Sequence, residues 1–285
     1  MYPTIPGFDR SARGALAMAL FTFAGVALAQ EIQAMNESPS ASTRGAETAL
    51  VELRQYTLHP YKRDVLIDLF EHEFVESQEA LGMRLIGTFR DLANGDRFVW
   101  LRGFTDMPSR ADALQAFYSG PVWQAHRDAA NATMVDSDNV LLLRNARPGS
   151  GFRIDERPLA PREATRIPAG LVEVRIYYFD TEPGTDELRW IETMQEARDA
   201  AGASLLAVMR TESSPNTFAR LPVRENEAAV VVFSQFRDAG SHARYLDALA
   251  ASPQWRRAEG ALLRTAPRAP DILELEPTAR SRLPR

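Results

Sequence analysis

The sequence predicts an α+β chain built from two tandem β-α-β-β-α-β units, and three observations carry that reading. First, segments recur in order. Val51-Glu52-Leu53-Arg54-Gln55-Tyr56 returns as Val172-Glu173-Val174-Arg175-Ile176-Tyr177 at an offset of 121, and GMRLIGTFR (82–90) returns as GASLLAVMR (202–210) at 120. Pro121-Val122-Trp123 returns as Pro253-Gln254-Trp255 at 132, and Asn139–Arg144 is matched by Asp271–Glu276 at the same offset. Second, each copy alternates stretches of period two with stretches of helical period. Third, an aperiodic segment containing Pro148, Pro158, Pro161 and Pro168 separates the copies. The offset rises by 12 only after Arg210, so one hairpin is longer in the second copy.

In the first copy, Val51–Leu58 alternates Val51 and Leu53 on one face with Glu52, Arg54 and Tyr56 on the other, as a strand does. Pro60 sits where a helix can begin, and Leu66, Leu69, Phe70 and Phe74 follow at helical spacing. Gly82 suits the left-handed position just past that helix. Arg84–Arg90 and Phe98–Phe104 flank Asn94-Gly95, a hairpin signal. Ser109–Tyr118 is a helix with Ala113, Leu114 and Phe117 on its apolar stripe, and a further helical piece after Gly120-Pro121 carries Trp123 and His126. Asn139–Arg144 closes the copy as a strand. The second copy follows with strand 171–179, helix 185–201, strands 203–211 and 228–236, helix 238–250 and strand 271–276.

Each unit is ferredoxin-like: a four-stranded antiparallel sheet with both helices on one side and the other face open. Two such sheets in one chain can close their open faces on each other, making an internally paired barrel. The expected boundaries are 1–29 signal peptide, 30–48 polar linker, 49–146 first domain, 147–170 Pro/Arg-rich linker, 171–277 second domain and 278–285 tail.

Residues 1–29 have the order of an export signal. Arg10 and Arg13 precede an apolar run from Gly14 to Ala29 that ends in Ala27-Leu28-Ala29, a small-x-small cleavage site. The run is short for a bilayer span, which needs about 20 apolar residues. An exported chain, periplasmic or secreted, is expected, touching the membrane only through this segment; an uncleaved anchor is the alternative. The net charge of −5 speaks against nucleic acid as a partner. The chain has no cysteine, which removes thiolate chemistry and Cys-ligated metals. Lys62 is the sole lysine, and no phosphate-binding loop surrounds it. No metal spacing is present around His59, His72, His126 or His242, and no cofactor is expected.

The recurring Glu-x-Arg-x-Tyr face is expected to line the barrel interior, either as a structural Glu–Arg ladder or as a grip on a small molecule carrying an anionic or carbonyl group. Its ligand-binding candidates are Arg54, Tyr56, Trp100, Arg102, Arg175 and Tyr177. Phe98, Trp100, Arg102 and Phe104 share one strand face, where the second copy has Val230, Val232, Ser234 and Phe236, so any pocket is expected to be one-sided. His126 is the acid/base candidate, present in one copy only, since Ala258 stands in its place in the other. His242 opens a helix and reads as a surface residue. The long hairpin Thr211–Asn226 is either a lid or an unstructured loop.

The stretch VELRQYTLHPYKRDVLIDLFEHEFVESQEALGMRLIGTFRD, followed by FVWLRGF and FYSGPVWQAHRDAANATMVDSDNVLLLR, resembles the NIPSNAP family over residues 51–144. The second copy keeps V-E-V-R-x-Y and Pro-x-Trp but has no counterpart of His126 or Asn131. The resemblance implies a dimeric α/β barrel, here a monomeric pseudo-dimer or a homodimer. It also implies a fold relationship to antibiotic-biosynthesis monooxygenases, whose members use Asn, Trp or His around a substrate or haem. Two functions follow. One is a non-enzymatic binding or scaffolding barrel. The other is a cofactor-independent oxygenase or haem-handling enzyme using Trp100, His126 and Asn131. The family has no established catalytic residues, and the mitochondrial trafficking roles of its animal members do not match an exported address.

Overall fold

The computed structural model describes residues 48–153 and 158–284. The expected signal peptide 1–29 and all but the last residue of the expected 30–48 linker lie outside the described residues.

The first unit runs β1 (Leu50–Leu58), a helix α1, β2 (Arg84–Asp91), β3 (Arg97–Phe104), α2 (Met107–Ser119), α3 (Pro121–Asn131), a short β4 (Met134–Asp136) and β5 (Val140–Asn145). α1 is formed by Arg63–Leu69, a π-helical turn Phe70–Phe74 and Val75–Glu79. The second unit runs β6 (Leu171–Phe179), α4 (Thr185–Ala200), β7 (Ser204–Thr211), β8 (Ala228–Phe236), α5 (Ala239–Ala251), α6 (Pro253–Leu263) and β9 (Asp271–Pro277). The repeat extends to local chemistry. Asp106 and Asp238 cap α2 and α5 through reciprocal bonds with Ser109 and Ser241, each satisfying an otherwise open helix N–H. Gly82 and Gly202, 120 residues apart, both end their helices at positive φ (83° and 98°). β2 and β7 carry a bulge at the same place, between Leu85 and Gly87 and between Leu205 and Ala207.

Eight strands close a ring in the order β1-β3-β2-β9-β6-β8-β7-β5, every pairing antiparallel, with β4 extending the ladder on β1. The two seams are pseudo-symmetric. Arg90 pairs Glu276 across β2–β9, and Arg210 pairs Arg144 across β7–β5, related by the same offsets of 120 and 132 seen in the sequence. The two units therefore form an eight-stranded α/β barrel within one chain.

The packing corrects one expectation. The barrel interior is apolar: Val51, Leu53, Val99, Leu101, Leu141 and Leu143 meet Val172, Val174, Ile176, Val231 and Phe233 in one cluster. Glu52, Arg54, Tyr56, Trp100 and Arg102, and likewise Glu173, Arg175 and Tyr177, point outward instead, beneath the helices of their own unit. The physical reason is room and partners. A narrow eight-stranded interior is filled by side chains from every strand, whereas the helices supply polar groups able to meet buried charges.

Two segments outside the strands are also packed. Phe152 of the inter-repeat segment enters the barrel core against Phe233, with ring centroids 4.8 Å apart. The stretch after β9 belongs to the fold as well. Leu283 is in the barrel core, the Thr278 hydroxyl donates to Glu71, Arg280 binds Glu71 and Glu76, and Arg282 donates to Glu79 and the Leu85 carbonyl.

Candidate functional site

Under the first unit's helices a single carboxylate gathers three guanidinium groups. Glu52 on β1 accepts from Arg54 Nη1 at 2.8 Å, from Arg102 Nε at 2.8 Å and from Arg110 Nε at 2.7 Å. All four side chains are almost fully buried. Strand alternation places Glu52 and Arg54 on one face, the β1–β3 register sets Arg102 opposite Glu52, and α2 lowers Arg110 onto them. Burial alone would raise the Glu52 carboxyl; the three arginines override it and hold it well below the usual carboxylate range. Burial pushes the Arg110 guanidinium down, with Glu52 only partly restoring it. Tyr56, whose hydroxyl accepts from Arg54 Nε at 2.9 Å, is pushed up chiefly by burial.

Trp100 lies between two of these cations, 5.5 Å from the Arg54 guanidinium and 4.9 Å from that of Arg102. Beside it is a cavity of about 30 Å³, lined by Tyr56, Phe70, Gln78, Trp100 and Arg102 among others. The indole Nε1–H of Trp100 and Nη2 of Arg102 meet no acceptor among the described residues. Tyr56, Tyr118, Trp123 and Met134 line both this cavity and a cleft of about 410 Å³ that opens to the surface. These four side chains form the throat between the two spaces.

The long hairpin of the second unit covers that cleft. Phe218 stacks on Tyr118, with centroids 5.7 Å apart and planes 22° apart, and with Leu221 it joins the first unit's helix–sheet core. Arg110 Nη1 donates to the Asn216 side chain at 3.0 Å, and Asn216 in turn donates to the Leu221 carbonyl. Residues 211–226 are thus an ordered cover, not an unstructured loop.

The second unit answers the same problem differently. Glu173 is met by Arg175 at 2.6 Å, His242 at 2.9 Å and the Tyr245 hydroxyl at 3.1 Å. Burial would raise its carboxyl, but the hydrogen bonds from His242 and Arg175 bring it to about 2. His242 is therefore buried, correcting the surface assignment: it takes the place of Arg110 and supplies a donor that Glu173 needs. Tyr245 stands where the first unit has Ala113. Arg198 on α4 stands where the first unit has Gln78; it donates to Tyr177 at 2.6 Å and lies 4.9 Å over Trp255.

Of the sequence candidates, Tyr56, Trp100 and Arg102 line the first unit's cavity and Arg54 bonds Tyr56 and Glu52 beside it, while Arg175 and Tyr177 belong to the separate second-unit cluster. Asn131 lines the outer cleft. His126 lines neither space; its Nε2 is 3.5 Å from Glu73 and its ring packs beside Phe74. Trp100, His126 and Asn131 therefore do not converge. Arg110 and Gln78 are not among the sequence candidates, although Arg110 lies on the buried stripe of α2 with Ala113, Leu114 and Phe117, where an arginine is out of pattern; Phe218 enters only as part of the long hairpin. A haem does not fit: no histidine lines the cavity or the cleft, and about 30 Å³ is a small fraction of a porphyrin.

Residues 51–146 match the family model described as NIPSNAP. Among solved structures, the chain resembles a candidate monooxygenase from Fusobacterium nucleatum subsp. nucleatum at 10% identity and a TM-score of 0.51, covering 81% of this chain and 93% of that one. An anthrone oxidase-like protein aligns at 11% identity and a TM-score of 0.52, covering 82% and 93%. A NIPSNAP-like domain protein from Burkholderia xenovorans aligns at 24% identity over 41% of this chain and 94% of its own, with a TM-score of 0.32. No curated protein matches the chain. The two longer alignments show the barrel fold across both units, and the match to the NIPSNAP family model covers the first of the two repeats that close it.

Proposed function

We propose that the chain is an exported binding protein that holds a small, flat, largely apolar molecule under the helices of its first unit. One observation carries this reading: an open cleft shares an aromatic throat with a buried cavity lined by Trp100, whose indole N–H meets no acceptor among the described residues. Pockets of this kind, apolar with a few convergent polar groups, are the usual form of a small-molecule site. Export rests on the order of charges, apolar run and small residues in 1–29, and an intact mass starting at Gln30 on protein from an extracytoplasmic fraction tests it.

Binding is tested by thermal unfolding against a panel of fused-ring aromatics. A ligand at a hundred times its dissociation constant adds about 2.7 kcal/mol, a rise of several degrees for a chain this size. Met134→Trp, which places an indole in the throat, is expected to abolish that rise while leaving unliganded stability nearly unchanged. An undiminished rise would move the site elsewhere.

A second reading, cofactor-independent oxygenation of the bound molecule, is favoured by the Trp100 Nε1–H. A fixed donor beside the cavity suits a carbonyl oxygen that gains negative charge during reaction. Two fold neighbours are described as a monooxygenase and an oxidase-like protein. Oxygen uptake with an anthrone, measured against Trp100→Phe, tests it; uptake no faster than in buffer rejects it.

A further inference from the structure

We propose that the ligand of this pocket is an organic monoanion whose charged oxygen sits against Trp100 and Arg102; the proposal rests on the pocket reading above. Its basis is a charge imbalance. Three buried guanidiniums share the one carboxylate of Glu52, leaving a formal surplus of two positive charges (three minus one). Their other hydrogen-bond partners among the described residues are neutral: the side chains of Tyr56, Gln78, Met83, Asn216 and Thr217 and the Ser137 carbonyl. Burying an unpaired charge is costly. Stacking on Trp100 offsets only part of that cost. The remainder is a standing attraction for a negative charge.

The donors show where that charge goes. Arg102 Nη2 and Trp100 Nε1 meet no acceptor among the described residues, and both residues line the cavity. A space of about 30 Å³ has room for a water-sized group. The ionised oxygen of a carboxylate, phenolate or enolate fits it, while an aromatic body remains among the rings of the throat and in the cleft. The second unit makes the comparison. There Glu173 meets one guanidinium, a histidine and a tyrosine hydroxyl, Tyr245 stands in place of Ala113, and a further buried guanidinium, Arg198, lies against Tyr177 and Trp255, so fewer cations crowd the carboxylate.

Calorimetric titration of the full chain at pH 7 with 1-naphthoate and with its neutral isostere 1-naphthamide tests the proposal. The carboxylate is expected to bind about tenfold more tightly, because charge-assisted hydrogen bonds are roughly twice as strong as neutral ones. Trp100→Phe keeps a ring and removes only the N–H, and is expected to lower that preference severalfold. Arg102→Gln is expected to erase it; if that variant does not fold, Trp100→Phe carries the test alone. Equal affinity for acid and amide overturns the anion while leaving the pocket standing. Binding of neither overturns the pocket and the anion together.

Discussion

Arg110, buried beneath the first unit's helices, donates to the Asn216 side chain at 3.0 Å, and so ties a loop of the second unit to the floor of a site in the first. The same guanidinium holds Glu52 from its other edge at 2.7 Å. The cover over the cleft is therefore anchored directly to the charged cluster under it, and duplication within one chain has made one repeat contribute to the other's pocket.

That anchoring predicts how the cover fails. Phe218→Ala removes the ring stacked on Tyr118 but leaves the barrel intact. Cleavage by trypsin at the exposed Arg220 should rise about tenfold, since proteolysis follows the population of the open form. Global unfolding in urea should change little. A large loss of global stability with unchanged cleavage would mean that the hairpin and barrel open together.

The two carboxylates should differ in what they hold together. Glu52→Gln strands three buried guanidiniums and is expected to cost about 3–5 kcal/mol. Glu173→Gln leaves a single guanidinium with His242 and Tyr245 still near it, and is expected to cost about 1–3 kcal/mol. Urea midpoints of the two variants decide the order.

Acid should act through these same groups. The Glu173 carboxyl is brought from its ordinary 4.5 to about 2 in the folded protein. A depressed folded value means the unfolded chain binds the proton more readily. Its contribution is therefore complete above about pH 4.5 and is lost as pH falls toward 2, on the order of 3 kcal/mol in all. Glu52 acts with the same sign. Urea midpoints measured from pH 6 to pH 3 should fall steadily below 4.5 in the parent and less steeply in Glu173→Gln.

Removing residues 278–285 should be costly although no strand is lost. Leu283 leaves the barrel core, and the buried Glu71 carboxylate loses the Thr278 hydroxyl and the Arg280 backbone N–H. A loss of about 3–5 kcal/mol, near 10 °C in Tm, is expected. Differential scanning fluorimetry of the shortened chain measures it.

Most of the architecture was legible because the repeat states it twice. Every strand of the ring follows from matched residues such as Val51/Val172 and Trp100/Val232. What alternation did not reveal was which face looks inward. β1 is buried on both faces, so period two separates polar from apolar without saying what covers each. The answer lay in the helices, where Arg110 and Arg198 occupy buried stripes and offer charge to the sheet. β4, only three residues long and pairing with the end of β1, carries too short a pattern to be read. The packing of Phe152, Leu283 and Phe218 depends on contacts between distant segments that no local period encodes.

The two seams differ in how far along the chain their strands lie. β5 and β7 join positions 64 to 68 apart, but β2 and β9 join positions 184 to 188 apart. The ring cannot close until β9 has been made, and until then β2 has a free edge and the apolar face of the first sheet has only part of its cover. Open edges and bare apolar faces are what draw chains into aggregates. The barrel core is shared by both repeats, so each depends on the other to cover the apolar face of its sheet.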